Sequence, residues 1–92
     1  MSDCVQRTFK IVNEKGLHAR ASAKLVEVVE EHDAEAEVSK DGLSASGDSI
    51  MGLLMLAAAK GSSIDVTTTG AEADKLADAL EELVANRFGE DF

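Results

Sequence analysis

No proline occurs in these 92 residues, cysteine occurs once, and the aromatic side chains are three phenylalanines, without tryptophan or tyrosine. A single cysteine, Cys4, cannot close an internal disulfide, which fits a reducing compartment. Scarce aromatics leave the core to Leu, Ile, Val, Met and Ala, and they withhold the stacking platforms on which single strands bind. Positive charge is scarce as well. Against 18 Asp and Glu stand 9 Lys and Arg, a net charge of −9 that repels a phosphate backbone, so no nucleic acid is expected as a partner. The longest apolar run, Ile50 to Ala59, falls well short of the ~20 residues of a membrane span, and the opening MSDCVQRTF holds no apolar signal segment. The expectation is a cytoplasmic protein that engages no membrane.

What is present is the composition of a globule, 45% apolar and 29% charged. Residues 1–92 are expected to form a single domain, because a chain of this size buries only roughly 60–70% of its unfolded surface around one core. Residues 5–13 alternate as a strand, with Phe9 and Ile11 opposite Thr8 and Lys10. From Ala19 to His32 the period becomes helical, with Ala21, Leu25, Val28 and Val29 on one stripe. Residues 34–40 alternate again. Asp41-Gly42 is a hairpin signal leading to a short strand at Leu43 and Ala45. Asp48 or Ser49 starts a second helix that Gly61 stops. Ile64, Val66 and Thr68 share one face of a further strand. Thr69-Gly-Ala-Glu72 fits a capping box before the helical repeat of Ala73, Leu76, Ala77, Leu80, Leu83 and Val84. The closing GEDF reads as a frayed tail. The order β-α-β-β-α-β-α predicts an α+β, open-faced two-layer sandwich: a four-stranded, mainly antiparallel sheet with three helices on one side.

One stretch, NEKGLHARASAKLVEVVEEH, gathers Lys15, Arg20 and Lys24 around His18 in an otherwise acidic chain. His18 falls at the start of the first helix, where unpaired N–H groups and the helix dipole form an anion site. The dipole disfavours an imidazolium there and so favours a neutral, nucleophilic ring. Arg20 adds a planar fork suited to phosphate oxygens. Nucleophile, anion cradle and guanidinium are the parts of phosphoryl transfer, which is largely positioning and charge neutralisation. The spacing alone does not decide this, since a histidine near a helix start is more often a cap or a solvated side chain. Other chemistries fare worse. His18 and Ser22 share a helix face but lack an orienting carboxylate for Ser–His catalysis. His18, His32 and Cys4 do not have ligand spacing, so no metal is expected, and no cofactor either. His32, at the far helix end, complements the dipole.

GLHARASAKLV resembles the active-site motif of HPr, the histidine-containing phosphocarrier family of bacterial phosphotransferase systems. DSIMGLLMLAAAKGSSIDVTTTGAEADKLADALEEL is similar to the rest of that family, so the likeness covers nearly the whole chain. It implies a phosphocarrier and not an enzyme. His18 would accept a phosphoryl group on Nδ1 from enzyme I, itself charged by phosphoenolpyruvate, and pass it to an enzyme IIA. Arg20 would assist. Ser49, which reads most simply as a helix N-cap, would be the serine that an HPr kinase/phosphorylase modifies in many bacteria. Gly16 and Leu17 match the turn before the histidine, and with Lys24, Ile50, Met51 and Leu54 they would form the partner-docking surface. Leu53 and Leu56 are expected in the core. Ala21 stands where many members have proline, and the HARAS form resembles the nitrogen-related branch, which admits stress or nitrogen regulators as partners. An interaction module that signals by its phosphorylation state is compatible with the carrier reading. A monomer is expected.

Overall fold

The computed structural model describes residues 4–92. Strand β1 (Cys4–Lys10) leads through a long turn to helix α1 (Ala19–Glu30), then β2 (Glu35–Lys40), β3 (Leu43–Ser46), α2 (Ile50–Met55), β4 (Ser63–Thr69) and α3 (Ala73–Ala85). The strands form one sheet in the order β1-β4-β2-β3, and every pairing is antiparallel. This is the expected α+β sandwich. Alternation decides its one-sidedness: Phe9, Ala36, Val38, Ile64 and Val66 are buried, whereas Thr8, Lys10, Glu35, Glu37 and Asp65 are exposed on the opposite face. The helices close over the apolar face with Leu25, Val29, Leu53, Leu76, Leu80 and Val84, and the core is aliphatic apart from Phe9 and Phe88. The hairpin turns at Asp41 and Gly42, both at positive φ (51° and 85°), as a two-residue primed turn requires.

Four expectations are corrected. First, β1 ends at Lys10, not at residue 13. The Ile11 and Asn13 side chains remain inside, and the backbone turns so that the Gly16 N–H donates to Asn13 O (3.3 Å). Cys4 pairs with Thr69 in the sheet.

Second, α2 stops at Met55, well before Gly61, and Ala57 takes a positive φ of 51°. The reason is tertiary. The Ala58 carbonyl accepts from the Leu17 N–H (2.8 Å), a bond that it would give up to residue 62 if the helix ran on. Gly16, at φ 66°, makes this approach possible, because a Cβ there would lie 2.3 Å from the Ala58 oxygen.

Third, Thr69-Gly-Ala-Glu72 is not a capping box. Thr69 stays in β4, and the Glu72 carboxylate instead accepts from the Asp33 N–H (2.7 Å), tying the start of α3 to the loop after α1. That bond from Asp33 holds the Glu72 carboxyl below its ordinary range against the opposing effect of burial.

Fourth, the GEDF tail is not frayed. Phe88 is fully buried, and the Glu14 N–H donates to Phe92 O (2.9 Å), so the tail is pinned beside the turn that precedes α1.

Candidate functional site

His18 is the N-cap of α1, extended at φ −77° and ψ −176°. Its carbonyl accepts the first helical bond from Ser22 N (2.8 Å), while its side chain caps nothing. The ring is therefore available for other work. Its Nε2 meets the Glu90 carboxylate, and among the described residues Nδ1 has no hydrogen-bond partner. The same glutamate accepts from Asn13 Nδ2 (3.0 Å), which also donates to Gly16 O (2.8 Å). Asn13 thus joins the turn before His18 to the acid that faces it. Its Oδ1 is buried without a hydrogen-bond partner among the described residues.

Burial opposes ionisation of Glu90, but the hydrogen bonds from His18 and Asn13, with the positive charge of Lys15, outweigh it. The carboxyl is held below the ordinary glutamate range.

Around the ring lies a cleft of about 410 Å³ lined by Glu14, Lys15, Arg20, Lys24, Glu90 and Asp91 among others. Three cations face three carboxylates, so the cations that the sequence gathers around His18 are balanced by acids from the tail and from Glu14. The cations differ in freedom. Lys24 donates to Phe88 O (2.7 Å) and is committed to holding the tail, whereas Arg20 is exposed and makes no ion pair among the described residues. Ser22 is fully buried with its hydroxyl donating to Leu17 O (3.2 Å), which removes it as a nucleophile beside His18. His32 Nδ1 is hydrogen-bonded to Val28 O (2.7 Å) at the other end of the helix.

On its other side His18 borders a shallower depression with Lys15, Leu17, Leu54, Ala57, Ala58 and Ala59. Gly16 and Leu17 are themselves buried, so they shape this surface and do not project from it. Beyond it, α2 turns Leu53 into the core and leaves Ile50, Met51 and Met55 40%, 70% and 75% exposed, with Leu54 half-buried. Leu56 is buried as expected. Ser49 caps α2, its Oγ accepting from Gly52 N (3.0 Å).

Three contributors went unnoticed in the sequence. Met55 was legible, one helical turn after Met51 on the same face. Asn13 carried a partial signal, since asparagine three residues before a glycine often closes a turn with its own side chain. Glu90 carried none beyond being an acid after a glycine, because its role depends on where the chain end folds. Among the described residues no cluster of three or more His, Cys, Asp or Glu side chains is placed to hold a metal, and no helix is long and apolar enough to cross a membrane.

The family model for the PTS HPr component phosphorylation site matches residues 5–86. The chain is 44% identical to the phosphocarrier protein HPr of Cupriavidus necator over 86 residues, covering 94% of this chain and 97% of that one. It is 39% identical to the phosphocarrier protein NPr of Escherichia coli K12, covering 95% and 98%. Among solved structures, HPr-C-His from Thermoanaerobacter tengcongensis superposes with a TM-score of 0.90 at 30% identity, covering 96% and 99%. The HPr of Bacillus anthracis does so at 0.84 and 34%, covering 88% and 96%. The family match, on a sandwich of this topology with an imidazole at the mouth of α1, makes the chain a phosphocarrier, a protein that bears a group and is not an enzyme. The chain belongs to the HPr family of the phosphotransferase system.

Proposed function

We propose that this protein accepts a phosphoryl group on Nδ1 of His18 from phosphorylated enzyme I and passes it to an enzyme IIA in the cytoplasm, as a single domain, without a cofactor and as a monomer. The observation that carries the reading is the asymmetric environment of the ring: Nε2 faces Glu90 while Nδ1 is left open. With the proton on Nε2, Nδ1 keeps its lone pair. That pair attacks phosphorus. The new N–P bond forms as the bond to the donor breaks, and the donor keeps the electron pair. Transfer onward reverses this, and the pair returns to Nδ1 as the phosphoryl group leaves. The free N–H groups of the first turn and the uncommitted Arg20 neutralise charge on the equatorial oxygens. Ile50, Met51 and Leu54 present an adaptable apolar surface for both partners.

Ser49 is a second phosphoryl acceptor in this reading, modified by an HPr kinase/phosphorylase. Its hydroxyl lies at the start of α2, and a phosphate there would stand beside the docking surface. Ala21 in place of the family's common proline, within the HARAS form, favours a regulatory branch with stress or nitrogen regulators as further partners, and an NPr stands among the relatives at 39% identity beside an HPr at 44%. The test is incubation with phosphoenolpyruvate, magnesium and enzyme I, followed by mass spectrometry. One acid-labile phosphoryl adduct is expected, absent from His18→Ala; an adduct that persists in that variant overturns the assignment.

A further inference from the structure

We infer that Glu90 is a positioning residue for phosphoryl transfer, holding the proton on Nε2 of His18 so that Nδ1 is the atom that receives and releases the group. This deepens the carrier reading and rests on it. The side chains of Glu90 and His18 are only 14% and 27% exposed, so their contact is shielded from water on most sides. Glu90 is itself held in place: Asn13 donates to its other carboxylate oxygen, Phe88 anchors the segment in the core, and Lys24 donates to the Phe88 carbonyl. Arg87 and Phe88 both take positive φ (58° and 55°), a conformation that non-glycine residues adopt only where the surroundings impose it. A loose tail would not need this turn.

The chemical consequence follows from the two ring nitrogens. A carboxylate facing Nε2 makes the ring an Nε2–H donor, which fixes the orientation of the imidazole and keeps the Nδ1 lone pair free. Once the phosphoryl group is on Nδ1, the Nε2–H remains opposite Glu90, and the positive charge gained by the ring is offset there. When the N–P bond breaks, the ring departs as neutral imidazole without having to acquire a proton from solvent. One carboxylate so serves both acceptance and release. The other charged groups around the ring are Arg20 and Lys24 on its own helix and Glu14, Lys15 and Asp91 on neighbouring segments, and among the described residues none of them hydrogen-bonds Nε2.

The test compares wild type, Glu90→Ala and Glu90→Gln in two measurements. The first is nitrogen-15 NMR of the unmodified protein, reading the His18 Nε2–H proton, with the His32 ring held by Val28 O as internal control. The signal is expected to be protected from exchange in wild type, retained in Glu90→Gln, whose amide oxygen still accepts, and lost in Glu90→Ala. The second is the rate of phosphoryl transfer from enzyme I. For Glu90→Ala, kcat is expected to fall about tenfold, the order of one charge-assisted hydrogen bond, with KM nearly unchanged. A protected proton in Glu90→Ala, an unchanged kcat, or a loss confined to KM overturns the inference. If wild type takes no phosphoryl on His18, the carrier reading falls and this role with it; if wild type transfers normally and Glu90→Ala matches it, only the role of Glu90 falls.

Discussion

Between His18 and Glu90 a base and an acid contribute to stability as well as to chemistry. The folded Glu90 carboxyl titrates below its ordinary value of 4.5, so its stabilisation is present above that value and disappears as pH falls through the lowered one. The denaturation midpoints of wild type and Glu90→Gln are therefore expected to differ near pH 7 and to converge as pH falls well below 4.5. A gap that is constant with pH would refute the sign. Asn13 is the second residue at this scale. Its buried amide bonds both Gly16 O and Glu90, so Asn13→Ala strands an acceptor and a carboxylate together. A loss of about 1–3 kcal/mol is expected in denaturant titration. Ala21, buried at the third position of α1, keeps a backbone N–H that proline lacks, adding one donor at the mouth of the helix.

Elements explain why this neighbourhood is rigid. α2 is short because the segment after it supplies the Ala58 carbonyl to Leu17, and Gly16 is the hinge of that contact. Gly16→Ala places a methyl against backbone and requires a strained φ. Its denaturation midpoint is expected to drop markedly, with reduced phosphoryl acceptance, whereas Gly42→Ala, with open space around its Cβ, costs only the strain of its φ. Ser49→Asp keeps a capping oxygen and leaves the fold intact, but it sets a charge beside Ile50 and Met51. Its transfer rate from enzyme I is expected to fall, and an unchanged rate would rule out inhibition at this position.

Sequence periodicity revealed the faces of these elements because burial on one side imposes a period of two or 3.6. It misplaced the end of α2 and the supposed cap at Thr69, since both depend on bonds to residues far along the chain, Leu17 and Asp33. His18 and Arg20 stood out through local helix-start chemistry. Glu90 did not, because 72 residues separate it from His18.

At the scale of the whole molecule, a net charge of −9 coexists with a cleft in which three cations meet three acids. Attraction to an acidic partner surface has to come from Arg20 and Lys15 at close range, against repulsion from the rest. Raising ionic strength is expected to slow association of wild type with enzyme I, and less so for Arg20→Ala. Equal salt slopes would remove Arg20 from steering. Phe88 connects this site to the core: it is fully buried, and its carbonyl holds Lys24. Phe88→Ala is expected to cost about 3–5 kcal/mol and to free the tail. The most direct measurement is phosphorus–nitrogen coupling in the protein labelled with nitrogen-15 histidine and phosphorylated by enzyme I. The expected result is phosphorus bonded to Nδ1 of His18 with Nε2 still protonated; coupling to Nε2, to His32, or to no histidine would contradict it.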